Sequence, residues 1–147
     1  MNTNTLPLWY SHTYSFGIDE RANFPRLRYK LTKDQLDDNP LISIREAPKA
    51  SLDDILRIHE ETYVNRFLEG TLTEKEQRAI GLRPWKPDIV PRTLHLIGGT
   101  LEATKHVIQH GGFAGNLAGG THHAFRARGA GYCIFNDLAI CARYAQE

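Results

Sequence analysis

The feature that most restricts the fold is the run of residues 88–118, "DIVPRTLHLIGGTLEATKHVIQHGGFAGNLA". Its first part repeats at helical spacing. Leu94, Ile97, Leu101 and Ile108 fall on one stripe, while Glu102, Lys105 and Gln109 lie away from it. Asp88 is placed to cap a helix, and Pro91 sits in the first turn, where a missing N–H is tolerated. Gly98 and Gly99 inside the pattern should each cost about 1 kcal/mol against alanine, so their presence predicts another element packed closely there. The helix ends at "HGG", and the short apolar run 113–119 follows at once, as a buried parallel strand would. A long helix leading directly into such a strand is the signature of α/β architecture.

The rest of the chain supplies compatible parts. Residues 6–11 read as a first strand, with Pro7 placing it near a strand start or a sheet edge. Residues 41–47 read as a second strand, with Ile42 and Ile44 on one face. Thr32-x-x-Gln35 matches a capping box for a short helix. Ser51-x-x-Asp54 opens a helix whose apolar positions continue through Tyr63, Val64, Phe67 and Leu68 to a left-handed stop at Gly70. Thr73-x-x-Glu76 caps another, ending near Gly81, and Asn136 caps a last one. The expected fold is α/β with a mostly parallel sheet, in which ligands collect at the carboxyl ends of the strands.

Composition excludes several classes. Lys+Arg is 18 against 17 for Asp+Glu, which argues against nucleic-acid binding and against a basic membrane patch. No apolar run is long enough for a transmembrane helix, and the first 17 residues lack the charged and apolar regions of a secretory signal. The two cysteines, Cys133 and Cys141, form no C-x-x-C pair, so a reducing, cytoplasmic setting is expected.

Against that background, "AGGTHHAFRARGAGYCIFND" (118–137) stands out. It places His122 and His123 between two glycine-rich turns, just beyond the carboxyl end of the third strand. Three readings compete. Adjacent histidines rarely converge on one metal ion, and no H-E-x-x-H or H-x-H pattern is present. They can fill a polar turn structurally. They can also form an acid/base pair, one ring neutral and one charged, as suits a hydrolase that deprotonates water and then protonates a leaving group. Of the other histidines, His12 could face the same edge. His59, His95, His106 and His110 fall in helical patterns or at a helix end, where surface or capping roles are expected.

The stretch "GGTHHAFRARGAGYCIFND" resembles the active-site signature of the histone deacetylase family: Gly-Gly-x-His-His-Ala, then glycine, aromatic and cysteine, then Asn-Asp. "HEETYVNRFLEGTL" resembles the family's His-x-x-x-Tyr-Val-x-x-Phe segment, and "FPRLRY" an early segment of its bacterial, class IV-like branch. The resemblance covers nearly the whole chain. It implies the arginase/deacetylase fold, a three-layer α/β/α domain of which residues 1–147 form the N-terminal part, incomplete by themselves.

The resemblance also implies a zinc-dependent hydrolase that removes acetyl or acyl groups from lysine side chains of proteins or from small amines. His123 would be the general base and His122 its electrostatic partner. Gly131 would offer its carbonyl to the substrate amide, and Tyr132 would line the acyl channel where the family usually has phenylalanine. Cys133 would sit behind that wall. The family's zinc ligands are expected downstream of Glu147, so none is assigned in this chain. Ala127 and Ala130 stand where relatives often carry acidic residues, and Ala22 or Asn23 where many have histidine. Two other functions fit the same residues: a non-catalytic remnant or binding module, and a hydrolase of acetylated polyamines or similar small amides.

Overall fold

The structure is a computed structural model that describes residues 5–147; the first four, part of the stretch read for a leader, lie outside the described residues. Three strands, β1 (Leu6–Tyr10), β2 (Ile42–Glu46) and β3 (Gly115–Asn116), form a parallel sheet in the order β2-β1-β3. Around it run α1 (Arg28–Leu36), α2 (Leu52–Leu56), α3 (Glu61–Leu68), α4 (Glu74–Ile80), α5 (Ile89–His110) and α6 (Asp137–Gln146), with a 3-10 turn at His12–Ser15. The expected α/β class and parallel pairing hold. No helix among the described residues is long and apolar enough to cross a membrane.

Several expectations are corrected by long-range contacts. Pro7 is the second residue of β1, so the expected strand start holds, while the alternative of a sheet edge does not, because β1 is the central strand. Leu6 N–H donates to Leu41 O, and Trp9 O accepts from Leu117 N–H, so alternate residues of β1 address opposite neighbours. The missing donor of Pro7 therefore faces the β3 side, where pairing begins only at Leu8↔Gly115. The third strand is shorter than the expected 113–119 and only half-buried, and Phe113 is 85% exposed. Thr32 caps nothing. It lies inside α1, and its hydroxyl donates back to Arg28 O at 2.8 Å.

The helix expected from Ser51 to Gly70 is two helices. Ser51 forms a capping box with Asp54, but α2 ends at Leu56 and α3 starts at Glu61. Thr73 and Glu76 form the second predicted box, and Gly81 closes α4 at φ 87°. Asp88 sits at the start of α5 but makes no side-chain cap bond. In α5, Ile97 and Leu101 are buried as expected, whereas Ile108 is 57% exposed.

The glycine pair in α5 does what its propensity penalty implied. A Cβ on Gly98 would lie 1.8 Å from Pro48 O, because the segment after β2 crosses the helix there. A Cβ on Gly99 would lie 2.4 Å from Tyr14 Oη and 2.7 Å from the Asn116 amide. These contacts bring α5 against the sheet, with the Trp9 ring of β1 5.9 Å from His106.

Candidate active site

Asp137 organises the histidine loop. It opens α6, is fully buried, and accepts four hydrogen bonds. Its Oδ1 receives Thr121 N–H and Thr121 Oγ1–H, each at 2.8 Å. Its Oδ2 receives Gly120 N–H at 2.9 Å and Thr100 Oγ1–H at 2.8 Å. Charge-assisted bonds of this kind are about twice as strong as neutral ones. The carboxylate comes so close that a Cβ on Gly119, whose φ is 104°, would lie 2.5 Å from Oδ2. Thr100 in turn accepts from Asn116 Nδ2, and Asn116 Oδ1 accepts from Tyr14 Oη–H at 2.7 Å. A polar chain thus runs from the end of β3, over Gly99, to the two residues that precede His122.

The other end of the loop is fixed by Asn136 and His59. Asn136 caps α6 through Ala139 N–H, as expected, and its Nδ2 donates to Ala124 O at 3.2 Å. Its backbone N–H donates to His59 Nε2 at 2.9 Å. His59 Nε2 must therefore be an acceptor, so the ring proton is on Nδ1, which donates to Arg126 O at 3.1 Å. Burial pushes the pKa of His59 below the ordinary imidazole range, in keeping with this neutral form. His59 is 3% exposed, not the surface or capping residue expected, and the break between α2 and α3 is where it turns inward.

Between these anchors, Ala130 and Cys133 exchange backbone hydrogen bonds of 3.0 and 2.8 Å across Gly131 and Tyr132. Both central residues have positive φ, 51° and 67°, as in a type I′ turn. Their N–H groups point away from the turn and donate to Ala79 O and Ile80 O, satisfying carbonyls at the end of α4. Tyr132 packs edge-on against Phe24 at 5.4 Å, and its ring covers Gly81. Burial raises the pKa of the Cys133 thiol, which donates weakly to Gly131 O.

His122 and His123 end up with ring centroids 4.1 Å apart at an interplanar angle of 41°. His122 Nδ1 donates to Gly120 O at 2.9 Å, which leaves Nε2 to act. A Cβ on Gly131 would lie 3.1 Å from the His123 ring, so glycine there gives the ring its room. All four sequence-selected residues, His122, His123, Gly131 and Tyr132, line one cleft of about 180 Å³. Phe24, Arg28 and Arg92 complete its walls. Arg92 is buried, donating to Tyr14 O and Tyr29 Oη. With Arg28 it gives the cleft a cationic side suited to an anion or a carbonyl oxygen.

The structure does not bring His12, which packs edge-on against Phe16, into this cleft, and His95 Nδ1 bonds Ala47 O instead. Sequence reasoning missed Asp137, His59 and Arg92. Asp137 and His59 both had a signal, as the last residue of the Asn-Asp pair and the first of the "HEETYVNRFLEGTL" segment; Arg92 had none, because its partners lie far along the chain.

Comparison with known proteins bears on the family and the fold. Residues 22–147 match the family described as histone deacetylase domain. An uncharacterized protein of Picosynechococcus is 40% identical over 145 residues, covering 97% of this chain and 48% of that protein. The acetoin utilization protein AcuC of Bacillus subtilis is 32% identical over 147 residues, covering 92% of this chain and 37% of AcuC. Among solved structures, an HDAC homolog from Aquifex aeolicus superimposes with a TM-score of 0.76 at 23% identity, over 97% of this chain and 41% of that one. The chain therefore spans about half the length, or less, of these relatives.

Proposed function

Because the chain belongs to the histone deacetylase family, we propose that it carries the acid/base part of a zinc-dependent amide hydrolase acting on acylated lysine side chains or related amines. The observation that carries this reading is the pairing of two imidazoles 4.1 Å apart with the Gly131–Tyr132 turn around one cleft. His123 takes a proton from the attacking water and returns it to the leaving amine. His122, held by its Nδ1–H bond to Gly120 O whether neutral or protonated, stabilises the developing oxyanion. The Gly131 carbonyl accepts from the substrate amide, and the Tyr132 ring walls the acyl chain.

The family is generally zinc-dependent. Among the described residues, no group of three or more His, Cys, Asp or Glu side chains is arranged to hold a metal ion, so these residues do not fit a catalytic zinc by themselves. Cys133 and Cys141 are both free and buried, which supports a reducing, cytoplasmic compartment.

The test is kinetic, on a polypeptide that carries this chain together with a complete metal site. His123→Ala should lower kcat on an acetyl-lysine peptide by about 10²–10⁴-fold with bound zinc unchanged. Unchanged turnover would remove the base role, and loss of zinc would make His123 a ligand. The ratio of kcat/KM for that peptide to that for an acetylated polyamine decides the substrate class.

A further inference from the structure

A second histidine pair closes the opposite end of the molecule. His106 and His110 are four residues apart in the last turns of α5, so their side chains share one face. Their ring centroids are 4.7 Å apart and inclined at 46°. Gly111 and Gly112, at φ 70° and 75°, turn the chain immediately afterwards. Both imidazoles and both glycines border a cleft of about 370 Å³ that also meets Leu6, Pro7 and Phe113. Because α5 leads into the beginning of β3, this cleft lies at the amino ends of the strands, away from His122 and His123.

We propose that His106 and His110 chelate a divalent transition metal of the zinc, copper and nickel class, with water completing its coordination. Imidazole nitrogens suit these ions. Two histidines four apart on a helix are the arrangement by which H-E-x-x-H helices present two ligands to one zinc. Metal–nitrogen bonds of about 2.0–2.1 Å require rings that are close neighbours, as these are. The position favours a cation, since a helix carries partial negative charge at its carboxyl end. Structural zinc sites use about four protein ligands, so two make this an exchangeable site rather than one that holds the fold together.

The test is a calorimetric titration of the untagged 147-residue chain with zinc chloride at neutral pH. His110 is exposed, so His110→Ala keeps the packing of α5; His106→Gln is the second variant, and a His122→Ala, His123→Ala double variant is the control. The expected result is one binding event, weakened at least tenfold in His110→Ala and in His106→Gln and unchanged in the control. Absence of binding up to millimolar zinc would overturn the proposal. So would binding that survives in His110→Ala and vanishes in the control.

Discussion

The two flanks of β3 are built on opposite principles. On the side of the histidine loop, every turn is tied down. Asp137 holds residues 120 and 121, Asn136 and His59 hold 124 to 126, and the carbonyls of α4 hold 131 and 132. On the other flank, β3 pairs through two residues, and Phe113 and Ile108 are largely exposed. Asn116 illustrates both, its side chain joined to the polar chain behind the loop while its backbone lies on the free edge of the sheet. The site loop is thus organised by contacts within this chain, even though the sheet that supports it is narrow.

The sharpest way to break the contrast is Asp137→Ala. It leaves two part-buried N–H groups and two hydroxyls without their acceptor, so unfolding free energy should fall by on the order of 3 kcal/mol. Denaturant titration measures it. A loss under 1 kcal/mol would mean that the loop does not depend on this carboxylate.

A smaller effect is expected at His59. Its pKa is depressed in the folded state, whereas the unfolded ring titrates near 6.5. The unfolded chain therefore binds more protons below that pH. The contribution of His59 is fully present above about pH 6.5 and is lost as pH falls. His59→Gln should destabilise at neutral pH by about 1–2 kcal/mol and flatten the decline in melting temperature between pH 7 and 5. Glu76, which its hydrogen bonds to Arg66 hold at a pKa of about 2, acts only at lower pH and leaves that window clear. Equal slopes in the two proteins would assign the pH dependence to other groups.

The least change in stability is expected on the open flank. Phe113→Asp should shift unfolding by no more than about 0.5 kcal/mol, as surface substitutions do. It should reduce self-association, because an exposed edge with apolar neighbours invites pairing with another copy. Light scattering of the two proteins over a concentration series checks this.

What the sequence disclosed follows the same division. Cap chemistry is local, so Ser51, Thr73 and Asn136 were legible from a few neighbours, and Gly98 and Gly99 declared themselves by their helix penalty. The histidine pair was legible because glycines framed it. Thr32 carried a valid cap pattern, but α1 had already begun at Arg28. The break after Leu56 was hidden because only the distant Arg126 and Asn136 make it worthwhile for His59 to turn inward. Pro7 marked the strand start, but that β1 is central was hidden, because strand order is set by distant segments.

Amide hydrogen exchange, resolved by residue, tests the central claim most directly. The amides of Gly120, Thr121 and Asn136 are bonded to Asp137 and His59, and should exchange only through large-scale opening, orders of magnitude more slowly than Phe113 or the edge amide of Asn116. Exchange at Gly120 and Thr121 as fast as at Phe113 would show that the histidine loop is not held by this chain, and would contradict the account.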